Sequence, residues 1–227
     1  MKRILKITLW ILGISVISYI GFIIFGFFTY HRLYGIAIGA YDGPYPEDIN
    51  DGDIIFQTSK SSQSKAIQLA TNSKYSHMGI IYKNNGQYFV YEAVQPVKLT
   101  PLTAWINRGE NRHYVIKRLR NAGQVLTSST LSKMKEIGDQ FSGKPYDIYF
   151  EWSDEKLYCS ELVWKIYKQA TGIEIGNLKQ LSDFNLTNDT VKAKMKERYG
   201  DNIPMNEKVI SPAEIFNSDK LILIKEK

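Results

Sequence analysis

The chain has 227 residues, with 29 Lys and Arg against 23 Asp and Glu and a formal charge of +6. Lys2, Arg3, Lys6 and Arg32 lie in the first 41 residues, where there is no acid, so the remainder carries only +2. Its isolated basic residues, such as Arg112, Lys117, Arg118 and Arg120, form no dense stripe of the kind a nucleic-acid binder needs. A single cysteine, Cys159, excludes an intrachain disulfide and a cysteine-based zinc site, and His31, His77 and His113 show no metal-ligand spacing, so neither metal nor cofactor is expected.

Ile7 to Tyr30 is an uncharged run of 24 residues. A membrane-crossing helix needs roughly 20 residues, whereas the apolar core of a cleaved signal peptide is roughly 7–15 long. A retained signal anchor over residues 1–32 is therefore expected. Lys2, Arg3 and Lys6 before the run outnumber Arg32 after it, which puts the N-terminus in the cytoplasm by the positive-inside rule. The expectation is a single-pass cell-membrane protein whose folded domain lies outside the cytoplasm. Residues 33–51, with Gly43-Pro44-Tyr45-Pro46, read as a connector, and residues 52–227 as one domain.

Within that domain Asp53–Gln57 reads as a short strand and Ser64–Thr71 as a short helix. His77–Tyr82 and Gln87–Ala93 are aromatic-rich runs joined by Asn84-Asn85-Gly86, a strong hairpin signal. Further strands are expected at Val97–Leu99 and His113–Leu119. Leu131, Met134, Ile137 and Phe141 recur at helical spacing behind the capping stretch Thr127-Ser128-Ser129-Thr130. Two more helices are expected, from Cys159 to about Ala170 and from Thr190 to about Arg198, with a last strand at Leu221–Ile224. The class is α+β, a small antiparallel sheet packed against helices.

Three residues carry the chemistry. Cys159 opens a helix and points to the same side as Leu162 and Val163. A cysteine there meets the positive end of the helix dipole, which favours thiolate, and free backbone N–H groups that can bind an oxyanion. A two-residue Asn85-Gly86 loop places Gly79 opposite Glu92, so that His77 and Glu92 share a face as diagonal neighbours. A slip of one residue would separate them. Thiol, base and carboxylate make a nucleophile triad. Each residue also has a plain alternative: a small core cysteine, a half-buried strand histidine and a solvent-facing glutamate.

The segments around these residues resemble a known family. Gly52-Asp53-Ile54-Ile55-Phe56, Ser76-His77-Met78-Gly79-Ile80-Ile81-Tyr82 and Val90-Tyr91-Glu92-Ala93 resemble the histidine half of NlpC-type papain-like hydrolases. Tyr158-Cys159-Ser160-Glu161-Leu162-Val163 resembles their cysteine half, which in standard members comes first. The reversed order is similar to the circularly permuted YiiX/YaeF-like amidases over about Gly52 to Ile173. That resemblance implies a permuted papain-like fold and a cysteine hydrolase cleaving amide bonds, including those of cell-wall peptides, through a thioester. Cys159 would be nucleophile, His77 base and Glu92 its orienting partner, with Tyr146 and Tyr158 at the substrate cleft. Tyr158 and Glu161 depart from the Asp and Gly of the NlpC pattern and are expected to border that cleft. Two other readings stand beside it: a lipid acyltransferase or thioesterase of the lecithin–retinol acyltransferase-like branch, and a non-catalytic binding module on the same scaffold. Residues 174–220 carry no motif, but a basic helix with Lys192, Lys194 and Lys196 could cap the cleft mouth and attract carboxylates.

Overall fold

The computed structural model describes residues 48–227. The anchor and all but the end of the connector expected from the sequence lie outside the described residues. Among the described residues no helix is long and apolar enough to cross a membrane.

A six-stranded antiparallel sheet forms the centre, in the order β4-β3-β2-β1-β5-β8. The strands are β1 (Ile54–Gln57), β2 (His77–Asn84), β3 (Gln87–Glu92), β4 (Lys98–Pro101), β5 (Val115–Leu119) and β8 (Leu221–Glu226). Strand β1 lies inside the sheet and is buried along its whole length, which is why Ile54-Ile55-Phe56 does not alternate with polar residues. Its neighbour Asp53 has no accessible surface and takes two bonds from Arg118 of β5, at 2.7 and 2.8 Å. The Gly-Asp pair of the sequence motif thus joins two strands.

The helices are α1 (Ser64–Thr71), α2 (Leu102–Arg108), α3 (Ala122–Val125), α4 (Ser128–Phe141), α5 (Cys159–Thr171), α6 (Asp189–Tyr199) and α7 (Pro212–Phe216). Thr127 caps α4 by accepting from the Thr130 N–H, as its serine- and threonine-rich start predicts. Met134, Ile137 and Phe141 of α4 join Leu162, Val163 and Ile166 of α5 in the core beneath Met78, Ile80 and Tyr82 of β2. The alternate β2 residues His77, Gly79 and Ile81 face the other way, and His77 meets Trp105 of α2 there. Helix α2 was not expected from the sequence, although Leu102, Trp105 and Ile106 do have helical spacing and are buried. Pro101 stands at its N-cap without a side-chain cap bond, so the usual start signal is missing. A second, two-stranded ribbon pairs β6 (Lys179–Gln180) with β7 (Lys208–Val209) in the stretch where the sequence shows no motif.

Candidate active site

His77 opens β2 and Glu92 closes β3. The pairs Ile80–Tyr91 through Asn84–Gln87 leave Asn85-Gly86 as the turn, which is the register expected from the sequence. The two strands approach closely because residue 79 is glycine: a Cβ there would lie 2.6 Å from the Tyr91 carbonyl oxygen. Across this gap the imidazole Nε2 of His77 stands 2.6 Å from Glu92 Oε2. Glu92 has no accessible surface, and its other oxygen accepts from Thr100 Oγ1 at 2.5 Å and from the Arg108 guanidinium. Burial alone would raise the carboxyl, but the bond and charge of His77, then Arg108 and Thr100, outweigh it and hold Glu92 down at about 2. An ionised Glu92 can only accept, so the His77 Nε2 carries hydrogen and Nδ1 is left for the thiol. The Trp105 ring stacks against the imidazole at 5.9 Å and 24° and limits its rotation.

Cys159 is the first residue of α5 and is 3% exposed. The helix start is clamped to Ile210: Ser160 Oγ donates to its carbonyl at 2.7 Å, and the Tyr158 hydroxyl accepts from its N–H at 3.2 Å. Backbone N–H groups in the first turn have no intrahelical acceptor and point out along the helix axis. Burial would lower the pKa of His77, but the neighbouring Cys159 and then the bond to Glu92 outweigh it and carry the imidazole to about 9. His77, Cys159 and Glu92 therefore lie together as one set.

Tyr146 lies beside this set. Its hydroxyl accepts from Gln63 Nε2 at 2.7 Å, and Gln63 Oε1 accepts from Arg198 of α6 at 2.6 Å. Burial and the adjacent Cys159 push the phenol well up, so it keeps its proton, and because its oxygen accepts from Gln63 that proton is free to donate. Tyr158 differs: it shares with Tyr146 the lining of a recess that holds Cys159 but is 2% exposed, with its hydroxyl held by Ile210. Glu161, expected at the cleft, is wholly buried, pairs with Lys165 Nζ at 2.8 Å and accepts from the Tyr158 N–H at 3.4 Å. It braces the helix start rather than a substrate. Helix α6 does border the recess that holds Cys159, as expected, with Val191, Lys194, Met195 and Arg198 in its wall. Its lysines only partly follow expectation: Lys194 pairs with Glu197 at 2.5 Å, whereas Lys192 and Lys196 are exposed. Thr100, Trp105, Arg108 and Gln63 were not singled out in the sequence. An arginine 16 residues after the glutamate carries no spacing signal.

The family described as permuted papain-like amidase enzyme, YaeF/YiiX, C92 family, matches residues 48–225. The chain belongs to this family. It is 47% identical over 173 residues to the uncharacterized protein YiiX of Escherichia coli strain K12, covering 76% of this chain and 84% of that one. A crystal structure described as that of the metalloprotein yiiX from Escherichia coli O157:H7 superposes with a TM-score of 0.75 at 48% identity, over 78% of this chain and 97% of that chain. The fold is thus the permuted papain-like one, and hydrolysis by a cysteine amidase is the activity at family level. The YiiX-like site in this chain does not fit a resident metal. Among the described residues no three His, Cys, Asp or Glu side chains gather as ligands, and both oxygens of Glu92 are engaged by His77, Thr100 and Arg108.

Proposed function

We propose that the protein hydrolyses amide bonds through a Cys159 thioester, with His77 as acid and base and Glu92 as its orienting carboxylate. The observation that carries this reading is the position of His77: Nε2 is fixed by a buried, ionised glutamate while the imidazole neighbours Cys159 at the start of α5. In the first half-reaction the thiolate attacks the carbonyl carbon, an S–C bond forms and the C–N bond breaks. The His77 proton passes to the departing amine. In the second half-reaction water gives a proton back to His77 and its oxygen bonds the same carbon. The S–C bond breaks and a carboxylic acid leaves. The developing oxyanion meets the Cys159 backbone N–H at the helix start and the Tyr146 hydroxyl.

The test is the pH dependence of iodoacetamide alkylation of Cys159, in the wild type and in His77→Ala. Fast labelling below about pH 7 that disappears in the variant supports a thiolate–imidazolium pair. Labelling that rises only near the value of a free thiol, about pH 8.5, in both proteins rejects catalysis and leaves a binding module on the scaffold.

A further inference from the structure

Tyr146 stands in the walls of both recesses at the site, the one that holds Cys159 and the one that holds His77, with Gln63 beside it in each. A phenol there serves a developing oxyanion only when its proton points into the site. What fixes that direction lies further out. Arg198, in the last turn of α6, donates to Gln63 Oε1 at 2.6 Å, and Gln63 Nε2 donates to the Tyr146 hydroxyl at 2.7 Å.

One end of this chain of bonds cannot reverse. A guanidinium has N–H donors and no acceptor, whereas an amide or a phenol can present either. Facing Arg198, Gln63 must present its oxygen, so its nitrogen faces Tyr146 and the phenol accepts. The hydrogen of the phenol is then directed away from Gln63, into the space it shares with Cys159. We infer that Arg198 and Gln63 are positioning residues of the reaction: the guanidinium sets the direction of the amide, and the amide turns the Tyr146 proton towards the oxyanion formed at Cys159. This inference rests on the cysteine-hydrolase reading and extends its machinery to α6.

Two local features fit this role. Gln63 occupies the N-cap of α1, where a Ser, Thr, Asp or Asn side chain usually satisfies a free N–H group, yet its side chain makes no cap bond. The helix start forgoes that contact and the amide reaches Tyr146 instead. Phe150 has a φ of 54°, a region that bulky residues rarely adopt. The Asp147 carboxylate holds this turn by accepting from the Tyr149 and Glu151 N–H groups at 2.8 and 2.6 Å. So held, the Phe150 ring lies 4.9 Å from the Arg198 guanidinium, a cation–π contact. The loop that carries Tyr146 thus also grips the arginine that directs it. Charge adds to direction, because each bond in a chain that ends on a cation polarises the next and strengthens the phenol as a donor.

The experiment compares two reactions of Cys159 in the full chain. Acetylation by p-nitrophenyl acetate, followed by nitrophenolate release and by protein mass, passes through an oxyanion. Alkylation by iodoacetamide does not, so the ratio of the two rates separates the oxyanion donor from the thiolate. Tyr146→Phe is expected to lower this ratio about 10²-fold. Gln63→Glu keeps the shape and the bond to Arg198 but offers the phenol an oxygen, which draws its proton backwards, so a loss of about the same size is expected. Gln63→Met leaves the phenol free to turn and Arg198→Met leaves the amide free to turn, and each is expected to cost only about tenfold. In the Tyr146→Phe background none of the three should lower the ratio further. A role confined to folding predicts that Gln63→Met is worse than Gln63→Glu and that the losses are the same with or without the phenol; either result overturns the inference. A ratio within about threefold of wild type in Tyr146→Phe or in Gln63→Glu overturns it too. These outcomes leave the cysteine-hydrolase reading standing, because the wild type still acetylates Cys159. A wild type that does not acetylate Cys159 overturns both.

Discussion

The sheet and the helix that starts at Cys159 each bury one glutamate completely, and the two behave in opposite ways. Glu92, at the end of β3, is surrounded by His77, Thr100 and Arg108 and is held down at about 2. Glu161, in the first turn of α5, is pushed up to about 8 by burial, despite its ion pair with Lys165. The ion pair suggests an ionised carboxylate and the raised value a protonated one, and the surroundings explain why burial wins. Lys165 divides its charge with Asp154 Oδ1 at 2.7 Å and the Ser153 carbonyl at 2.5 Å, and the remaining Glu161 bond, to the Tyr158 N–H, is long at 3.4 Å. Burial sets the cost, and the number and charge of the donors decide whether a carboxylate survives it. Only the glutamate in the sheet is equipped to orient an imidazolium.

The largest expected effect comes from removing that equipment. Glu92→Gln keeps the shape and loses the charge, and can present its amide N–H to His77 and fix the wrong tautomer. A fall of about 10²- to 10⁴-fold in kcat/KM is expected on any substrate or ester that acylates Cys159. A fall below threefold would mean that Glu92 serves the fold rather than the imidazole.

Stability against pH sharpens the same contrast. Glu92 is depressed in the fold, so its contribution is complete above its unfolded value near 4.5 and is lost as pH falls towards 2. His77 is raised, so its contribution is complete below 6.5 and is lost as pH rises through about 9. The two shifts share the His77–Glu92 bond, but Cys159 is the larger cause of the rise at His77. Denaturant midpoints should be highest between about pH 4.5 and 6.5, and Glu92→Gln should flatten the acid limb and only part of the alkaline one. An unchanged acid limb in the variant would assign acid unfolding to other groups.

Next in size is the approach of β2 to β3. Gly79→Ala puts a Cβ 2.4 Å from Val90 Cγ1 and 2.6 Å from the Tyr91 carbonyl oxygen, so the strands must part. A loss of about 1–3 kcal/mol is expected from overpacking, with slower Cys159 alkylation as the His77–Glu92 bond lengthens. Full stability with full labelling would show that the hairpin tolerates the wider spacing.

The hairpin is where the sequence was most legible. Asn85-Gly86 sets one turn length, one register and therefore one face for His77 and Glu92, and the observed pairs follow it. Cys159 was legible for a similar reason, since Leu162, Val163 and Ile166 define a buried face that starts with it. What surrounds these residues was not. Thr100 and Arg108 reach Glu92 from a strand and a helix whose spacing encodes no charge pattern. Gln63, Tyr146 and Arg198 form one chain of bonds across separations of 83 and 135 residues. Lysines dominate the sequence of α6, yet Val191 and Met195 decide which face it buries. Two buried apolar residues in three turns are too few for periodicity to reveal.

The smallest expected effect tests the other side of the comparison. Glu161→Gln replaces a largely protonated carboxyl with an amide of the same shape that can still accept from the Tyr158 N–H. Near pH 6 stability should change by about 1 kcal/mol or less, and Cys159 alkylation should keep its rate. The pH dependence carries the discriminating sign. A group raised in the fold keeps a proton that the unfolded chain has released, so the wild type loses stability from about pH 4.5 to 8 and then levels off. The variant removes this decline, so its stability relative to wild type should improve across that window. A variant that instead weakens steadily towards pH 8 would show that the Lys165 pair keeps Glu161 ionised. The two buried glutamates would then differ in partner geometry alone, not in charge.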